Sequence, residues 1–204
     1  FSLKPKGASF DLEKELDVLS GVLPTGLQFG PDGALYLADW INGWGTKNYG
    51  RVWKLDVEDS KNDLKEQRLE TQRLMTVEYE DLSADSLVEL LAYPDMRIRK
   101  KAQFELAERT FWGYRALKDV ILEDKNQFAR IHAIWGIGQI ASDNNKKAQP
   151  LMDLLGDEDP EIIAQTAKVL GDVKTQSLLH FATVSKPILP QFADFFAGSW
   201  TRQL

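Results

Sequence analysis

The chain has 204 residues, 43% of them hydrophobic and 27% charged, an ordinary globular balance without the compositional signature of a disordered chain. A net charge of -6 excludes nonspecific binding to nucleic acid, which needs a basic face to neutralise phosphates, although Arg97, Arg99, Lys100 and Lys101 form a short basic exception. With no cysteine and no run of about eighteen apolar residues, these residues contain no disulfide framework, no cysteine zinc site, no covalent haem attachment and no membrane helix.

Up to about Asp56 the signals are those of strands. "GASFDL", "ELDVLSG", "GLQFG", "ALYLADW" and "GRVWKLD" are short, rich in apolar and aromatic residues, and separated by Gly, Pro and Asp. Pro31, Asp32 and Gly33 predict a turn: Pro sets φ, Asp bonds its own backbone and Gly accepts positive φ. A hairpin from Gly26 to Trp40 follows, with a further strand from Arg51 to Leu55. Leu35, Leu37 and Asp39 fall on one face, Tyr36, Ala38 and Trp40 on the other, so this strand reads as buried on both sides. A sheet of this size is marginal by itself. The chain, which starts at Phe1 with no leader, therefore reads as a piece of a larger protein.

Residues 57–82 read as a linker whose helix, "LKEQRLETQRLM", leaves the sheet. In residues 83–174 three segments look alike, and aligning Ala102, Ala133 and Thr166 spaces them 31 and 33 residues apart. Self-similarity at such a period marks a solenoid of helical pairs. Leu87, Leu90 and Leu91 form the stripe of a first helix, and Ile98, Ala102 and Leu106 that of a second. Asp95 and Asp159 are caps, with Pro160 at N1 and Glu161 beside the positive helix end. Each pair leaves an apolar side for its neighbour to cover. Residues 175–204, with Phe192, Phe195, Phe196 and Trp200, are expected to cap the stack or to begin a further repeat.

"PDGALYLADW", "DWINGWG" and "GRVWKLD" resemble the last blade of the quinoprotein-like sugar dehydrogenase propellers. "RKKAQFELAER" and "ARIHAIWGIGQIA" resemble the HEAT helices of large bacterial membrane-bound dehydrogenase-like proteins, in which such a propeller runs into HEAT repeats and often a c-type haem domain. The likeness spans residues 1–173 and rests on the order of parts. It implies an α+β, mostly α, fold: a partial β-propeller blade (1–56) of antiparallel strands, then an α-solenoid of about three HEAT-like pairs. It also implies a periplasmic or otherwise extracytoplasmic parent with a PQQ-like quinone, Ca²⁺ or c-type haem. The Cys-x-x-Cys-His motif and the remaining blades of that family are not among these residues.

Candidate chemistry is sparse. Asp32, Asp39 and Asn42 are oxygen ligands at loop spacing, as Ca²⁺ prefers. Turn chemistry and a strand end account for the two aspartates, and no metal site follows. Trp40 and Trp44 would stack on a sugar or quinone at a propeller rim, or seal the blade. Trp40 reads as packing; Trp44, flanked by glycines, stays open between the two. His132 and His180 are lone histidines with structural roles, and no nucleophile elbow is present. Arg97, Arg99 and Arg130 open second helices, where cations oppose the macrodipole unless acids such as Asp95 or Asp124 offset them. They read as a solvated face.

No catalytic, cofactor or metal residue is assigned. Trp44, Asp39, Asn42, Arg99, Arg130 and His132 are the candidate ligand or partner surface. The expected role is a HEAT interaction and spacer module that binds a protein partner or neighbouring domains of its own parent. The other expectation is a quinone-dependent sugar or alcohol dehydrogenase-like parent, its active site upstream.

Overall fold

Alternation of side chains builds the first sheet elements. In the computed structural model, which describes residues 1–6, 9–41, 45 and 48–173, strand β1 (Ser2–Lys6) pairs antiparallel with β2 (Ser9–Lys14) as a separate two-stranded ribbon. A second, three-stranded antiparallel sheet runs in chain order through β3 (Pro24–Phe29), β4 (Leu35–Asp39) and β5 (Arg51–Leu55). The hairpin forms as the turn residues require. Gly30 N–H donates to Ala34 O at 2.8 Å, Ala34 N–H donates to Asp32 Oδ1 at 3.2 Å, and Gly33 sits at φ +75°. A side chain at Gly33 would be strained there and would also meet Arg68.

Three strand expectations need correction. "ELDVLSG" is not a strand: Val18 is exposed and Gly21 turns the chain at φ +72°. Strand β1 was not among the expected strands; it contains Pro5, which a two-stranded ribbon can accommodate because both of its strands are edge strands. Strand β4 is covered on one face. Leu37 and Asp39 are buried while Ala38 is exposed, and Trp40 just beyond the strand is 41% exposed.

The polar, helix-favouring run becomes α1 (Lys65–Thr76). It stays with the sheet instead of leaving it: Arg68 donates from Nε to Asp32 O at 2.8 Å and pairs with Asp56 at 2.7 Å. By contact the chain divides into one unit of residues 1–81 with 94–98 and another of 82–93 with 99–204.

The helical unit is made of pairs. The first pair is α2 (Ala84–Leu90) and α3 (Met96–Glu108), the second α4 (Thr110–Glu123) and α5 (Gln127–Ala141). In the third, a 3-10 segment, Asn145–Gly156, precedes α6 (Pro160–Asp172). Pro150 inside that segment lacks the N–H and the room that an α-helical interior demands.

The 31- and 33-residue spacings place equivalent residues in equivalent environments. Ala102, Ala133 and Thr166 are all fully buried, as are Ile98, Ala129 and Ile162, and Leu106, Ile137 and Leu170. The caps repeat at the same offset. Asn126 Oδ1 accepts from Ala129 N–H at 3.1 Å, Asp159 Oδ1 accepts from Glu161 N–H at 2.9 Å, and Asp95 Oδ1 accepts from Arg97 N–H at 2.8 Å. Close approach within the second pair rests on Gly136, where a Cβ would lie 2.8 Å from Leu117 Cδ1. The architecture is thus mostly helical, with two small antiparallel sheets. Among the described residues no helix is long and apolar enough to cross a membrane.

Candidate functional site

Each unit holds a polar constellation of its own. In the sheet unit Asp39 ends β4 with its carboxylate fully covered. It accepts from Leu23 N–H at 3.0 Å, Ile41 N–H at 2.9 Å and Trp53 Nε1–H at 3.0 Å, and pairs with Arg51 at 3.0 Å. The indole hydrogen bond, the backbone donors and the Arg51 guanidinium hold its carboxyl down to about 2. Asp32 accepts from Tyr36 Oη–H at 3.0 Å and Lys54 Nζ at 2.8 Å, and the Lys54 ammonium leads the causes that bring it to about 2. The two carboxylates have separate cations and are not brought together at one ligand. Arg97 donates to Asp95 and, from Nη1, to Phe29 O at 2.7 Å and Gly30 O at 3.1 Å. Among the described residues no cluster of three or more His, Asp or Glu is arranged to hold a metal. Asn42, Trp44 and His180 lie outside the described residues.

In the helical unit the structure joins two of the predicted residues. Arg99 is 7% exposed, not solvated, and lies in the interior against His132, itself 3% exposed, with Nε 3.1 Å from His132 Nε2. The guanidinium also donates to Tyr93 O at 2.7 Å and stacks 4.5 Å from the Phe128 ring centre. Burial, with the Arg99 charge beside it, pushes His132 down to about 4, so the imidazole is neutral at pH 7. Arg130 does not use Asp124. It reaches Asp157 ahead of the next second helix with a two-pronged ion pair, and that guanidinium holds Asp157 below the usual carboxylate range. Asp124 instead accepts from Asn126 N–H at 2.7 Å.

Sequence reasoning missed what His132 connects to. Its Nδ1 lies 2.7 Å from Gln103 Oε1, and Gln103 Nε2 donates to Gln139 Oε1 at 2.9 Å. Gln139 is exposed at a groove of about 680 Å³, lined from α3 by Gln103, from α5 by Trp135, Gly138 and Gln139, and from α6 by Gln165 and Val169. Trp135 donates from Nε1 to Gln165 Oε1 at 2.9 Å, Gln165 donates onward to Glu161 at 2.7 Å, and the indole meets the His132 ring edge to face at 5.0 Å. The indole is thereby held in one orientation. The groove presents one indole and three carboxamides, groups that bind by stacking and hydrogen bonding.

No curated protein and no solved structure matches the chain. A family model described as HEAT repeats matches residues 114–183. Its described part takes in α4 from residue 114, then α5, the 3-10 segment and α6, so the α5 and α6 walls of the groove lie within the matched HEAT repeats, while Gln103 on α3 precedes them.

Proposed function

We propose that this chain is an interaction and spacer module whose HEAT second helices hold a protein partner, or a neighbouring domain of the same parent, in the groove around Trp135. The observation that carries the reading is the groove lining: an oriented indole and carboxamides from three successive second helices. Solenoids offer extended surfaces of this kind. A photo-cross-linking residue at exposed Ser142 in the parent protein should capture one discrete polypeptide, and the same residue at exposed Leu122 on α4 should not. Equal capture at both places, or none in the groove, contradicts the reading.

The finer part of the proposal concerns the sheet. Its three-stranded meander leaves Leu27, Phe29 and Val52 exposed, at 65%, 59% and 73%, which supports its being one blade of a propeller that lacks its neighbours here. On this reading the parent is an extracytoplasmic dehydrogenase-like protein, its PQQ-like quinone, Ca²⁺ or c-type haem held elsewhere in it. Further Pro-Asp-Gly hairpins encoded upstream and a Cys-x-x-Cys-His downstream are the expected surroundings. Turnover by this chain with a quinone and an electron acceptor would contradict it.

A further inference from the structure

The buried polar chain behind the groove has a direction, fixed by its first member. A guanidinium carries only donors, so the nitrogen of His132 facing Arg99 must be an acceptor: Nε2 is unprotonated and the single proton of the neutral ring sits on Nδ1. That proton can go only to an oxygen, so the Gln103 carboxamide turns Oε1 toward His132 and Nε2 toward Gln139. Gln139 receives that bond on Oε1. Every link donates the same way, from a buried cation to the groove, and the series ends on the Nε2 hydrogens of Gln139, the exposed member. Aligned hydrogen bonds polarise one another in a low-dielectric interior, so the terminal amide is a stronger donor than a solvated glutamine. Arg99, Gln103 and His132 are each more than nine-tenths buried. They cannot turn to reverse the series without stranding a donor against the guanidinium.

We infer that the groove recognises the main chain of an extended polypeptide segment, Gln139 Nε2 donating to a backbone carbonyl while the Trp135 indole covers the adjoining side chain. This rests on the binding role proposed above and names its chemistry. The partner is committed to by complementarity. The terminal group offers donors, which call for an acceptor. Lys168 and Asp172, the charged residues that line the groove, pair with each other at 2.8 Å, so its lining does not favour a charged ligand. The wall combines carboxamides with the apolar surface of the indole, Val169 and Val173. A neutral acceptor repeated along a strand, with apolar side chains between, is a peptide backbone.

Two measurements test this on the intact chain. In the free protein, ¹⁵N NMR of the His132 ring should show the Nδ1–H tautomer, and the Nε2–H tautomer would overturn the directed series. A displayed library of random dodecapeptides should yield binders whose affinity falls about tenfold or more with Gln139→Glu, since a carboxylate facing a carbonyl replaces a donor with a second acceptor. Gln139→Asn, which keeps the donor, should lose less. The Gln139 side-chain amide resonances should shift on binding, which a merely structural role would not produce. Peptides that bind wild type and Gln139→Glu equally leave the chain an interaction module and overturn this assignment. A library with no binder overturns both.

Discussion

The sheet unit and the helical unit differ in how much of their order rests on charge and how much on a repeated apolar interior. The sheet unit has little interior and is pinned by charge: Asp39 and Asp32 gather backbone N–H groups, an indole, a phenol and two cations around carboxylates, while much of the apolar surface of β3 and β5 stays open. In the helical unit a dry stripe recurs at each repeat, and the buried polar groups beside it form a hydrogen-bonded series that starts at the Arg99 cation and runs through neutral side chains to Gln139. A small sheet without a packing partner depends on a few directional contacts, whereas a stacked array spreads its stability over many equivalent ones.

The largest expected effect breaks the stripe. Ile137→Ala, at a fully buried position of α5, should cost the helical unit about 2–5 kcal/mol in chemical denaturation followed by far-UV circular dichroism. In the sheet unit the matching break is Asp39→Ala, which strands the Trp53 indole and two backbone donors together. The near-UV signal of Trp53 should collapse at room temperature while helical content is retained, and an unchanged signal would remove Asp39 from its anchoring role.

Acid should separate the units. His132 has its folded pKa lowered from the ordinary 6.5 to about 4, so the unfolded chain binds more protons between those values. The stability it contributes is complete above about pH 6.5 and is lost as pH falls toward 4, by about 3 kcal/mol at most. Asp32 and Asp39, lowered to about 2, hold their contribution until pH drops below the ordinary carboxylate range. The helical unit should therefore soften first, and His132→Gln should flatten its pH dependence between 6.5 and 4. The smallest effect sharpens the repeat itself. Thr166 occupies the place of Ala102 and Ala133 with its hydroxyl buried and without a hydrogen-bond partner among the described residues, so Thr166→Val should stabilise by about 1 kcal/mol.

What the sequence made legible were features carried by neighbours in the chain. Pro31-Asp32-Gly33 specifies its turn locally, alternation places β4 and β5, and the Ala102, Ala133 and Thr166 spacing finds the repeat because each unit buries the same three positions. The HEAT-repeat match covers part of that region. The polar series was not legible, since its members stand 29 to 36 residues apart and each is a common surface residue type. A signal was present. Arg99 and Gln103 stand three before and one after Ala102, while His132 and Gln139 stand one before and six after Ala133. At about 100° per residue these are opposite flanks of successive second helices, which meet when the helices lie side by side. The burial of Arg99 was missed for the same reason: a cation in a first turn reads as solvated until the neighbouring helix is placed.

Amide hydrogen exchange on the intact chain tests the contrast between the two units most directly. The backbone amides of α5 and α6 that flank Ile134, Ile137 and Leu170 should exchange slowest, and those of β3 and β5 orders of magnitude faster. Strand amides as protected as those of α5, or helices that exchange together with the sheet as one cooperative block, would contradict it.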